Sequence, residues 1–259
     1  MSGDSSLVIN YNRNHNTIFH RNLSHVSFSG DRGYFAQLGS KFANDLMKLR
    51  EDQIWFDSGS GLLNALREYP ELGGKAKTMG LSFERPTQMS DLQLYQQNLN
   101  SLLHNGRHTQ FEGMYLEALK PLTQKVDIIT DIHGPFTYSK NLEKVLRIYL
   151  ENLKTDGRLY ISHSTQTKMQ LAEARMSPEE LAYRQKAISK GRDPELDHEN
   201  GLSYILDSIQ GIEWTMINGN YNTIKITRTS EPLQIPKLRF LEEKSNDQEL
   251  IKVKTYFVE

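Results

Sequence analysis

The stretch Asp57-Ser58-Gly59-Ser60-Gly61 is where residue type and spacing point most directly to chemistry. It follows the apolar run Ile54-Trp55-Phe56 and precedes an apolar stripe at Leu62, Leu63, Leu66 and Tyr69. Glycines between a strand and a helix let the backbone turn sharply and let a ligand approach main-chain N–H groups near a helix N-terminus. Two common nucleotide loops do not fit. No GxxxxGK[ST] run exists, and the third glycine of a dinucleotide fingerprint would fall at Asn64. A plain strand-to-helix turn is the alternative reading.

His133 lies just after the β-type run Val126–Asp131, and His163 just after Arg158–Ser162. An imidazole titrates near neutral pH and can accept a proton from a hydroxyl. A histidine bonded to loop backbone is the competing reading for both. His15, His20 and His25 recur at a spacing that suits neither one helix face nor a zinc pattern, so no metal site is expected there. The chain has no cysteine, which excludes disulfides, thiolate metal sites and cysteine nucleophiles. It also has no GxSxG elbow, so a serine hydrolase has no support.

The elements that must carry these residues alternate. Phe35, Leu38, Phe42, Leu46 and Leu49 predict a first helix, and Leu92, Tyr95, Leu99 and Leu102 another that stops at Asn105-Gly106. Leu142, Val145, Leu146, Tyr149, Leu150 and Leu153 predict the most amphipathic helix, closed by Asp156-Gly157. Between these lie β-type runs at Ile54–Phe56, Thr78–Ser82, around Phe111, Val126–Asp131 and Arg158–Ser162. Strands separated by helices of this length predict a mostly parallel sheet with right-handed crossovers. Residues 166–210 read as entirely helical, with a capped start at Ser177-Pro178-Glu179-Glu180. Ile212–Ile217 and Tyr221–Arg228, joined by Asn218-Gly219-Asn220, predict a hairpin. Residues 1–34 read as an irregular lead-in or cap, and residues 231–259 as a tail or an added hairpin.

Composition narrows the class. The 259 residues include 31 basic and 32 acidic side chains, a balance without the basic field that nucleic acid or an anionic membrane usually demands. Charged residues make up 24% and hydrophobic ones 37%, as in a soluble globular protein. The start lacks the order of a secretory signal, and no apolar run is long enough for a bilayer span. A cytoplasmic enzyme without a membrane or nucleic-acid partner is the expectation.

Taken in order, these segments resemble the class I S-adenosylmethionine-dependent methyltransferases over roughly residues 35–230. Asp57-Ser58-Gly59-Ser60-Gly61-Leu62-Leu63 is similar to that family's [DE]xGxGxG loop, with Leu63 where the third glycine often stands. Lys125–Gly134 resembles its fourth strand, and Leu153–Ile161 the approach to its fifth. The resemblance implies a Rossmann-like α/β fold: a seven-stranded sheet, mostly parallel with an antiparallel final strand, and helices on both faces. It implies S-adenosylmethionine as cofactor and a small-molecule or protein methyl acceptor.

By that resemblance Asp57, Gly59 and Gly61 form the cofactor loop, and Asp131 orients the methionine amino group or the acceptor. The acidic residue that usually meets the ribose falls at Ser82, with Glu84 as a substitute. The one near the adenine amino group falls at Met114, with Glu112 close by. His133 and His163 are the candidate bases, and the 166–210 insert the candidate cover of the acceptor site. The two non-acidic positions keep a second reading open, a non-catalytic or regulatory protein on the same scaffold; an NAD-type enzyme is a third.

Overall fold

The computed structural model describes residues 7–10, 34–83, 86–162, 167–171, 201–217, 220–246 and 251–258. The central sheet is built from β1 (Leu7–Asn10), β2 (Ile54–Asp57), β3 (Lys77–Ser82), β4 (His108–Glu112), β5 (Val126–Ile132), β6 (Leu153–Ser162), β8 (Ile212–Ile217) and β9 (Asn220–Arg228). A smaller sheet contains β7 (Thr167–Leu171), β10 (Leu238–Asn246) and β11 (Ile251–Val258).

The central order is β1-β4-β3-β2-β5-β6-β9-β8. Neighbours from β1 to β6 pair in parallel, and β9 runs antiparallel to both β6 and β8. Without β1 this is the seven-stranded sheet that the sequence predicts, closed by its expected hairpin. Strand periodicity sends side chains to two cores. Ile54, Phe56, Ile129, Leu159 and Ile161 enter one, while Trp55, Ile128, Ile132 and Tyr160 enter the other.

The second core is covered by α1 (Tyr34–Met47), α2 (Asn64–Glu71) and α3 (Met89–His104). Tyr34, Leu38, Phe42 and Leu46 form the buried stripe of α1, which is kinked at Gly39, where φ is 76°. The first core is covered by a 3-10 turn (Leu116–Ala118), α5 (Leu142–Asn152) and α6 (Gly201–Asp207). A short α4 (Pro135–Tyr138) caps the end of β5. No described helix is long and apolar enough to cross a membrane.

Three expectations need correction. Leu7–Asn10, expected in an irregular lead-in, is a strand added in parallel to β4. Thr167–Leu171, expected to be helical, is a strand parallel to β11. Both pair with residues far away in sequence, so local periodicity carries no trace of the partner. The tail supplies a hairpin, β10 against β11. The helix expected to close at Asp156-Gly157 ends at Asn152, and Leu153–Asp156 already belong to β6. There the ladder slips between Val126 and Ile128, and Asp156 takes a φ of 63°. The rest of the expected helical insert, residues 172–200 with the capped start at Ser177, lies outside the described residues.

Candidate functional site

The chain leaves β2 toward β3 and β4 on one side, then returns to β5 on the other. This reversal opens a crevice outside the carboxyl ends of β2 and β5, the position where open α/β sheets bind ligands. Asp57 ends β2, and Asp131 sits one residue before the end of β5. The glycine loop and the His133-Gly134 turn therefore face one another across the reversal.

The loop meets its strict steric limit at Gly59. A Cβ there would lie 3.2 Å from both Gly134 Cα and the Ile132 carbonyl oxygen. Gly61 has a φ of 47° and Leu63 one of 66°, so the left-handed turn persists where the third glycine is missing. Leu63 itself is buried against the second core. Ser58 N–H donates to the Thr130 carbonyl at 2.9 Å, fastening the loop to β5.

Asp57 is 1% exposed. It accepts hydrogen bonds from Tyr34 Oη at 2.5 Å and from Thr130 Oγ1 at 3.0 Å. Trp55 Nε1 donates in turn to Thr130 Oγ1 at 2.9 Å, which fixes that hydroxyl's direction. Burial pushes the Asp57 carboxyl up from 3.8 to about 7, against the opposing pull of these donors and of the Gly59 N–H. Asp131, also buried, accepts from Gly134 N–H and Phe136 N–H, both at 2.8 Å, and from Tyr149 Oη at 2.6 Å. Burial raises it to about 6. Tyr149 Oη also lies 2.6 Å from Ser58 Oγ, so one phenol bridges both edges of the crevice.

His133 lies at this edge, half-buried, with a φ of 50° and its N–H donating to the Ser162 carbonyl at 2.8 Å. Burial lowers its pKa, favouring the neutral imidazole. His163 and Glu84 lie outside the described residues, as do His15, His20 and His25.

Ser82 ends β3 and is buried in a polar chain. Gln110 Nε2 donates to Ser82 Oγ at 3.0 Å and to the Phe111 carbonyl, so Gln110 Oε1 is the acceptor facing His108 Nε2 at 3.1 Å. That fixes the proton of His108 on Nε2 and leaves Nδ1 to accept from Thr78 Oγ1 at 2.8 Å. At the other end Ser60 Oγ donates to the Leu81 carbonyl, so it accepts from Ser82 at 3.1 Å. Met114 is packed in the first core. The acidic group at the end of β4 is Glu112, which is buried and accepts from Tyr95 Oη at 2.5 Å.

The fold thus gathers Asp57, Gly59, Asp131 and His133 at one edge and joins Ser82 to the loop through Ser60. Tyr34, Tyr149, Thr130 and Gln110 were not singled out by the sequence. Tyr34 and Tyr149 head or lie within apolar stripes, where a phenol reads as apolar bulk; only the fold shows where each hydroxyl reaches.

No protein-family model matches the chain, and no curated protein matches it in sequence. Solved structures resemble it in fold. A provisionally assigned S-adenosyl-L-methionine-dependent methyltransferase of Methanococcus maripaludis is 17% identical, with 78% of this chain and 90% of that one covered and a TM-score of 0.47. Phosphoethanolamine N-methyltransferase 2 of Haemonchus contortus, in complex with S-adenosyl-L-methionine, is 14% identical with a TM-score of 0.43, over 72% of this chain and only 39% of that one. The plantazolicin methyltransferase BamL, in complex with a triazolic desmethylPZN analogue and SAH, is 14% identical with a TM-score of 0.44, over 70% of this chain and 79% of that one. The assignment of fold rests on the strand order and the direction of β9. The chain has the fold of the class I S-adenosylmethionine-dependent methyltransferases.

Proposed function

We propose that this chain transfers a methyl group from S-adenosylmethionine to a small-molecule or protein acceptor. One observation carries the reading: a glycine loop at the sheet's reversal point lies beside two buried carboxylates that only neutral donors hold. No basic side chain pairs with Asp57 or Asp131 among the described residues. Such a pair favours a cationic ligand, because a nearby positive charge stabilises the ionised carboxylates. S-adenosylmethionine brings an ammonium and, at its sulfonium, the electrophilic methyl group.

In this reading Gly59 and Gly61 admit the amino-acid end of the cofactor, and Asp57 and Asp131 supply the negative field around it. Ser82, or Glu84 in its place, meets the ribose of the adenosine. Methyl displacement depends largely on positioning, which the hydrogen-bonded loop and turn provide. His133, kept neutral by burial, or His163 accepts the proton of an acceptor hydroxyl. A domain spanning residues 35–230 carries this chemistry, with residues 1–34 and 231–259 added to it.

Calorimetry with S-adenosylmethionine, S-adenosylhomocysteine and NAD tests the reading. Saturable binding of the first two is expected, and binding of NAD alone would overturn it. A second reading, a regulatory protein on this scaffold, draws on Ser82, whose hydroxyl is committed to Gln110 and Ser60 where a carboxylate is usual. Binding of S-adenosylhomocysteine with no turnover on any acceptor favours that reading. Once an acceptor is known, pH–rate profiles of His133→Asn and His163→Asn identify the base; wild-type rate and pH dependence in both would exclude each.

A further inference from the structure

Lys254, in the middle of β11, is 2% exposed. Its ammonium donates to the Thr137 carbonyl at 2.7 Å and the Ser139 carbonyl at 2.8 Å, at the end of α4. A buried ammonium is costly unless its donors are met, so these carbonyls hold it in place. The appended sheet therefore reaches the turn beside the crevice through one charged side chain. A second contact anchors the same hairpin, Leu238 N–H to Glu143 Oε2 at 3.0 Å on α5.

The turn that Lys254 holds carries the wall of the candidate site. Gly134 and Phe136 donate to Asp131, and Gly134 lies near enough to Gly59 that a Cβ there would fall 3.2 Å from Gly134 Cα. Ser139 Oγ donates to Glu117 Oε1, tying the far end of the turn to the 3-10 segment. Because α4 is a single turn, Pro135–Tyr138, a shift of its carbonyl end on loss of the Lys254 contacts carries Phe136 and Gly134 with it. The position of Gly134 against Gly59 then depends on whether the hairpin is docked.

We propose that Lys254 is a positioning residue that links docking of the C-terminal hairpin to cofactor binding, so that each strengthens the other. This rests on the methyltransferase reading. Such linkage is reciprocal by thermodynamic necessity, which gives it a signature that a merely structural lysine lacks.

The test uses the full chain, with S-adenosylhomocysteine as the probe, in calorimetry and backbone hydrogen exchange. In the wild type the probe should slow exchange across Ile251–Val258, remote from the glycine loop. Lys254→Met should weaken probe affinity by about 10-fold, within the usual range of such couplings, and abolish the hairpin's response. Lys254→Arg, which keeps the charge and the donors, should recover most of both. Wild-type affinity in a folded Lys254→Met protein, or a wild-type hairpin unresponsive to bound probe, would overturn the proposal. Should Lys254→Met not fold, the response of the wild type and the graded loss in Lys254→Arg decide it. If the wild type binds no probe, the methyltransferase reading itself fails. Exchange at Gly134 and Phe136 then decides the coupling alone: faster in the ligand-free Lys254 variants if it exists, unchanged if it does not.

Discussion

The phenol of Tyr34, the first residue of α1, donates a 2.5 Å hydrogen bond to Oδ2 of Asp57, the last residue of β2. This bond joins the start of the helical layer to the candidate cofactor loop. It also supports a carboxylate that burial disfavours.

A pH dependence of stability follows from Asp57. Its folded pKa of about 7 lies above its ordinary 3.8, so the folded protein holds a proton that the unfolded chain has released. The associated stability is present below about 3.8 and is lost as pH rises through about 7. Asp131, raised to about 6, acts in the same sense. Asp57→Asn should flatten the fall in unfolding free energy between pH 4 and pH 7, removing roughly 2–4 kcal/mol of it. Urea titrations across that range check this; an unchanged slope would mean that Asp57 is ionised throughout.

Gly59 gives a steric test. Its missing Cβ would press on Gly134 Cα and the Ile132 carbonyl, both backbone atoms that cannot rotate away. Gly59→Val should therefore separate the loop from the turn and weaken S-adenosylhomocysteine binding by at least about 10-fold, some 1.4 kcal/mol. Gly61→Val strains a left-handed turn instead, at a cost of roughly 1–3 kcal/mol in stability. Calorimetry and denaturation separate the two effects. Unchanged probe affinity in a folded Gly59→Val protein would remove the loop from the site.

Two buried hydroxyls offer a stability prediction. Among the described residues Thr137 Oγ1 and Tyr256 Oη find no hydrogen-bond partner, although each is almost wholly enclosed. An unsatisfied buried polar group costs about 1–3 kcal/mol. Thr137→Val replaces the hydroxyl by a methyl group and Tyr256→Phe deletes it, so each should raise the melting temperature. A lower melting temperature would show that the hydroxyl is satisfied in solution, for example by water.

How much of this was legible in the sequence depends on where each partner sits. Strand Val126–Ile132 and the stripe of α5 announce themselves because their signals are local, and so do the glycine loop and the final hairpin. β1 and β7 are silent because β4 and β11 supply the other half of each ladder from far along the chain. Leu63 shows a subtler limit. The motif expects glycine there, and the left-handed backbone is present, but a buried leucine adopts it. Ser82 reads as a lost acidic contact until its bonds to Gln110 and Ser60 show a hydroxyl used as both donor and acceptor.

The polar chain that ends at Ser82 begins with His108, and this sets the opposite pH dependence. Burial lowers the His108 pKa from 6.5 to about 4, only partly opposed by its bond to Gln110. Between those values the unfolded chain binds a proton that the folded protein refuses. Stability from this group is thus complete above about 6.5 and falls as pH drops toward 4. The full contribution is up to about 3 kcal/mol, and it opposes the gain from Asp57 and Asp131 over the same range. His108→Asn should lower stability at pH 7.5, because Thr78 and Gln110 lose a well-placed partner. It should also lose less stability on acidification than the wild type. Paired denaturation curves at pH 7.5 and pH 5 make the comparison, with Asp57→Asn as a background that removes part of the opposing slope. An equal acid response in the His108→Asn and parent proteins would mean that His108 titrates normally, and that its place in the chain does not depend on a neutral ring.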